Sequence, residues 1–364
     1  MPRQKNFKKL VRERAAKTGE SYTAARAHFV TQPARIATDP DAGALTRALA
    51  AAGVVNPVDG KPFSEPIVFG LGGGIGFQYM VFVYEGWTSI ALDGRRNTLY
   101  FEKEGFIEHA CARLGVPLKI QQLPSPETAE KRLRAALRTA PEVALTFDLV
   151  KLPGYADGPY VPYMPTPVTV SERGPDLAVT GLPGGTTTMS WPDVIEARWA
   201  QQKKYGGLFV LGEPGDRPDV AAAVRDSISR TAECLLEPSK TSFDANFGIP
   251  GIRKWARMLT DEKDAKGWPK LCPDDEALGM ALLSVRRGLG ETASRGQFAA
   301  FLAEAATLLG DPKLTRSAAA YDDLARRWAK LTDLTAGPGT TAADVAALLP
   351  ALADAEEAAA AAIR

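Results

Sequence analysis

The segment Pro66–Tyr84 carries no charged side chain, and Gly70, Gly72, Gly73, Gly74 and Gly76 interrupt its apolar residues. A stretch of this kind approaches the roughly 20 residues that a membrane-crossing helix needs. Glycine backbone freedom weighs against a helix here. The pattern instead predicts a strand over Ile67–Phe69, a glycine turn and a second buried segment, with no membrane association. Consecutive glycines can turn their N–H groups toward an anion, or they can hold two buried segments in a tight turn. Both readings stay open at Gly70, Gly72, Gly73, Gly74 and Gly76. The spacing is not a Walker loop, because no Gly-Lys-Ser/Thr follows. It is also a poor dinucleotide fingerprint, because Ile75 and Phe77 stand where the third glycine would fall.

A chain of 364 residues suggests about two domains. From Ala42 to about Leu211 helical and strand patterns mix. Helices are expected over Ala44–Ala52, from Phe106 to Leu114, from a Ser125 cap to about Thr139, and from Ser190 onward. Strands are expected over Leu118–Ile120, Val143–Val150, Pro167–Val170, Leu177–Val179 and Leu208–Leu211. Beyond about Pro214 only helical stripes recur, among them Ile252, Trp255, Ala256 and Leu259. The Ala-rich end, 342–364, reads as a helix with few large anchors, prone to fraying. The fold class is therefore α+β, with an all-α region after the mixed one.

The net charge of +1 gives no global pull toward nucleic acid or membrane. The basic residues before position 36 read as a solvated face on two short helices over 6–31, so nucleic acid is not an expected partner. No apolar stretch follows that basic start, as a secretory signal would require. Three cysteines far apart and two histidines give neither a disulfide framework nor metal-ligand spacing. A cytoplasmic location is expected, with no metal and no cofactor.

Two acids stand out. Asp148 interrupts the apolar strand Thr146-Phe147-Asp148-Leu149, and a carboxylate there needs a partner. Glu65 directly precedes Pro66 and the glycines. Each is either a site residue or a structural acid. His109 and Cys111 lie two apart on a helix and point in different directions, so they cannot pair. Cys111 falls on the apolar stripe and reads as a small buried hydrophobe.

Ser64-Glu65-Pro66, Val68-Phe69-Gly70-Leu71-Gly72-Gly73-Gly74, Phe77 and Tyr79 resemble the N-terminal domain of butirosin biosynthesis protein H. Phe147-Asp148-Leu149, Leu152-Pro153 and Ile195-Glu196-Ala197-Arg198 fit it too. Phe247-Gly248-Ile249-Pro250, Ile252-Arg253-Lys254-Trp255, Lys266-Gly267-Trp268-Pro269 and the helix Tyr321–Leu331 resemble the domain of unknown function that commonly follows it. The expected layout is a basic two-helix segment over 1–36, the α/β domain over 37–212, the helical domain over 213–335 and an Ala-rich tail over 336–364.

The resemblance implies a papain-like fold used for acyl transfer in specialised metabolism, with an acyl carrier protein or a small peptide- or aminoglycoside-like ligand as partner. It also implies a thiolate at a helix N-terminus, a histidine on a neighbouring strand and a third group to orient it. None of the three is present. Thr38-Asp39-Pro40-Asp41-Ala42-Gly43 replaces the expected His-Cys pair, Thr166-Pro167-Val168 the start of the histidine strand, and Gly181 the acid. No catalytic residue is therefore assigned, and the ligand-binding candidates are Glu65, the five glycines and Asp148. A degenerate relative that binds a ligand or partner is the preferred reading. The alternatives are an active transferase using Asp148, Glu65 or Cys111, and a scaffold built on the helical half. A nicotinamide enzyme ranks fourth.

Overall fold

The computed structural model describes residues 39–85, 87–96, 105–122, 125–148, 165–182, 185–199, 207–212, 219–238 and 244–364. The basic helix pair expected over 6–31 lies outside them. Along the chain come α1 (Pro40–Ala51), α2 (Glu65–Gly72), β1 (Ile75–Tyr84), β2 (Trp87–Arg95) and α3 (Phe106–Arg113). There follow β3 (Leu118–Gln122), α4 (Pro126–Leu137), β4 (Val143–Asp148), β5 (Pro165–Arg173), β6 (Asp176–Leu182) and β7 (Gly185–Met189). Next are α5 (Trp191–Trp199), β8 (Gly207–Leu211), α6 (Val220–Leu236) and α7 (Gly248–Met258). The last four are α8 (Asp275–Leu289), α9 (Arg295–Leu309), α10 (Pro312–Leu334) and α11 (Ala342–Ile363), preceded by a single helical turn at Trp268–Leu271.

Contacts divide these residues into two compact units. One takes the described residues up to Phe63 together with Val116–Gly215; the other takes Ser64–Gly115 with Asp216–Arg364. Ser64–Gly115 shares its core with the helices that follow Asp216.

The first unit is an antiparallel sheet in the order β3-β8-β4-β5-β6-β7. Strand alternation sends Val143, Leu145 and Phe147 to one face, where α4 and α5 cover them with Ala129, Leu133, Val194 and Ala197. The opposite face carries Ala144 against Ala44 and Ala48 of α1, where small side chains let helix and sheet approach closely. β4 is buried along its whole length because both faces are covered. Ser125 and Asp39 cap α4 and α1 by accepting from Thr128 N and Ala42 N.

The second unit is built round the β1–β2 hairpin. Phe77 of β1 stacks between Trp255 of α7 and Trp328 of α10, with ring centroids 6.1 and 5.9 Å away. The strand expected over Ile67–Phe69 is corrected to helix. Ser64 accepts from Ile67 N, Glu65 sits in the first turn and Pro66 is preorganised for the start, and together these outweigh the β-preference of Ile67 and Val68. Fraying of the Ala-rich end is corrected as well. α11 opens on a Thr341–Asp344 capping box and buries Val345, Leu349, Leu352, Ala353, Ala359 and Ala360. Alanine anchors a helix here because its neighbours come close enough to cover a methyl group. No helix among the described residues is long and apolar enough to cross a membrane.

Candidate functional site

The first unit holds the positions at which the resemblance expects catalysis. At the start of α1 stands Asp39, 6% exposed, its Oδ1 accepting the Ala42 N–H at 3.0 Å. A carboxylate at this point satisfies an orphan N–H and meets the positive end of the helix dipole, so the helix start is completed by its own cap. Thr166 is buried opposite Phe147 on the sheet face covered by α4 and α5. Asp148 ends β4 opposite Pro165, 3% exposed, with its own polar interaction, and shares the sheet face of Ala144.

Arg47, which sequence reading did not single out, is the organising cation of this face. Its Nε donates to Thr169 Oγ1 at 2.8 Å and lies 3.6 Å from Glu142 Oε1, and its Nη2 reaches the Thr180 carbonyl at 3.4 Å. Gly181 follows directly. Its φ is +105°, and a Cβ built there would stand 2.8 Å from Arg47 Nη2. A side chain at 181 would therefore come up against the Arg47 guanidinium, which is held from three sides. Helix and strand are far apart in sequence, so no local signal could have revealed this.

Glu65 and the glycines belong to the second unit. Glu65 Oε1 accepts from Gln297 Nε2 at 3.1 Å, and the neighbouring Ser64 hydroxyl donates to Glu304. A Cβ at Gly70 or Gly72 would fall under 3.0 Å from the rings of Phe301 and Phe106 respectively. At Gly76 it would meet the Arg96 backbone at 2.8 Å. Gly73 and Gly74, at φ +137° and +64°, turn the chain out of α2, and their N–H groups donate back to the carbonyls of Gly70 and Phe69. The carbonyls left over at the helix end are satisfied as well. Ser227 donates to Gly70 O, Arg113 Nη1 to Leu71 O at 2.8 Å, and Thr231 to Gly73 O at 3.3 Å. The glycines are closely packed at the end of α2 and the start of β1. Glu65 and the glycines lie in one unit and Asp148 in the other, so the candidates do not form a single cluster within either.

Neither Cys111 nor Cys272 is tuned as a nucleophile. Burial, with Glu108 adding to it, pushes the Cys111 thiol up to about 12, and burial with Asp274 pushes Cys272 up to about 11. Cys111 is 1% exposed on α3. Both groups are protonated through the whole neutral range. Iodoacetamide at pH 8 is therefore expected to leave Cys111 unmodified in the folded protein and to label it only on unfolding, as read by peptide mass mapping. No group of His, Cys, Asp or Glu that could hold a metal occurs among the described residues.

Residues 39–182 match the family described as Butirosin biosynthesis protein H, N-terminal. Residues 193–363 match the Domain of unknown function (DUF4872). No curated protein matches the chain.

Proposed function

Because the chain carries the butirosin biosynthesis protein H N-terminal domain followed by the DUF4872 domain, we propose that it is a non-catalytic relative of acyltransferases that binds a ligand or partner. In this reading the first unit is a papain-like domain whose helix start, strand start and strand end have been refilled with Asp39, Thr166 and Gly181. The observation that carries it is Asp39 at the helix start, 6% exposed with its Oδ1 accepting the Ala42 N–H, where the resemblance expects the nucleophile. A capped helix end and an arginine-filled corner serve stability, whereas thiol catalysis needs an exposed nucleophile beside a base. The occupant is a thioester-bound or peptide-like intermediate, delivered by an acyl carrier protein in specialised metabolism. Asp148, at the end of the interior strand β4 and opposite the start of β5, is the acid best placed to meet it.

The test is to mix the full chain with a panel of acyl-pantetheine thioesters and record intact mass before and after hydroxylamine. The expected result is a raised melting temperature for one or more thioesters, recovered unhydrolysed, with no hydroxylamine-labile adduct. A stoichiometric ester or thioester on a single side chain would overturn the proposal and identify a working nucleophile.

A further inference from the structure

The core of the second unit holds an ion pair that is only half joined. Arg295 of α9 and Glu356 of α11 have no exposure, and Arg295 Nε donates to Glu356 Oε1 at 2.6 Å. The same oxygen accepts from Trp328 Nε1 at 2.6 Å, and Arg295 Nη1 donates to the backbone carbonyls of Gly76, Gly94 and Ala293. In a guanidinium Nη2 lies on the same edge as Nε, and a carboxylate that meets this edge squarely takes one N–H on each oxygen. Here neither Arg295 Nη2 nor Glu356 Oε2 has a hydrogen-bond partner among the described residues. The Tyr321 hydroxyl, buried in the same core, has none either. Tyr321 stands edge-on to Phe298, one turn along α9 from Arg295, with ring centroids 4.8 Å apart. Its phenol lies within reach of both charges: burial raises its proton affinity, Glu356 adds to the rise and Arg295 opposes it.

From this arrangement we infer that the second unit encloses a binding site for a single water molecule, held between Arg295 Nη2, Glu356 Oε2 and the Tyr321 hydroxyl. A buried polar atom without a partner is costly, and here three of them gather on one ion pair and its neighbour. Their chemistry selects the occupant. It must accept from Nη2 and donate to Oε2, while the hydroxyl can serve it in either sense. An anion would suit Nη2 but meet the Glu356 charge, and a cation would suit Oε2 but meet the Arg295 charge. The pair is neutral as a whole, so a small neutral molecule that both donates and accepts is what fits. Water with about three hydrogen bonds is the usual occupant of such a place.

Aromatic surface lies around these polar atoms. Phe298 packs on Tyr321, and the Arg295 guanidinium lies over the Trp328 ring, 5.3 Å from its centroid. The three partners come from three helices, Arg295 from α9, Tyr321 from α10 and Glu356 from α11, so the water joins all of them at one point. All of these residues belong to one unit, and the site is independent of the thioester reading.

The test is a crystal structure of the full chain in which ordered water is visible, with oxygen-17 relaxation dispersion as the solution measurement. The expected result is one water peak at about 2.7–3.2 Å from both Arg295 Nη2 and Glu356 Oε2, with the Tyr321 hydroxyl as its third neighbour. In solution, the double variant Arg295→Met with Glu356→Leu should hold one long-lived water fewer than the unaltered chain, because an apolar cavity stays dry. Tyr321→Phe removes only the third partner, so it should keep the peak and shorten the residence time of the water several-fold. This variant leaves the ion pair intact and decides the matter with the crystal density if the double variant does not fold. Arg295 Nη2 bonded directly to Glu356 Oε2, or the Tyr321 hydroxyl bonded directly to Glu356, with no peak among them, would overturn the inference. An ion or a larger molecule in that density, or an unchanged count of long-lived waters in a folded double variant, would overturn it as well.

Discussion

Replacing Glu356 by alanine is expected to lower the stability of the protein by about 3–5 kcal/mol, the usual cost of removing one partner from a buried ion pair. Glu356 Oε1 accepts from Arg295 Nε and from Trp328 Nε1, both at 2.6 Å, and neither charged side chain has any exposure. Arg295 Nη1 also donates to the carbonyls of Gly76, Gly94 and Ala293, at 2.9, 2.6 and 2.7 Å. One guanidinium thus ties both strands of the hairpin to α9, and through Glu356 to α11. Alanine at 356 would leave that cation buried without its counter-charge and Trp328 Nε1 without an acceptor. Tyr321 reports on the same cluster, its phenol raised by burial and by the Glu356 charge.

Urea denaturation followed by tryptophan fluorescence would measure the loss. The double variant Arg295→Met with Glu356→Leu separates two causes. If the cost comes from an uncompensated buried charge, the double variant should recover much of it, because neither charge remains to be desolvated. A double variant as unstable as the sum of its parts would place the cost in the carbonyl contacts of Arg295. A Glu356→Ala protein of unchanged stability would contradict the buried pair itself.

The same cluster shows where sequence reading reaches its limit. The last helix looked poorly anchored because its apolar residues are mostly alanine, and its spacing does not single out the acid at 356. Its role depends on residues 61 and 28 positions away. Caps and strand alternation were legible because they are local. Ser125 with Pro126, the buried strand opening at Val143, and the helix through Ala110 and Cys111 all form as their spacing predicts. What escaped was set by partners distant in sequence: Arg47 at Gly181, and the Asn246–Lys254 pair held against β1. Residues 66–76 fell between these cases. Ser64 caps this helix locally, but five glycines argued against one, and the reason for Gly70 and Gly72 became visible only with Phe301 and Phe106 in place.

That reason can be tested at Gly70. Gly70→Ala is expected to destabilise the protein by about 1–3 kcal/mol, although alanine is the better helix former by roughly 1 kcal/mol on an exposed helix. The added methyl would enter the Phe301 ring on α9, and Phe301 is fully buried against Phe298, with centroids 5.6 Å apart. The ring therefore has no free direction in which to move. The Gly70 carbonyl is held by Ser227, so α2 cannot shift to relieve the clash without losing that bond. Phe301→Ala removes the ring atoms that meet the methyl, Cγ, Cδ2 and Cε2. In that background Gly70→Ala should cost nothing or become mildly stabilising, since only the propensity gain is left. A coupling of this sign in a denaturation cycle would assign the glycine to helix packing. If Gly70→Ala instead left stability unchanged while abolishing the thioester-induced rise in melting temperature, the glycine would be lining a ligand site, and the packed crossing would not be its function.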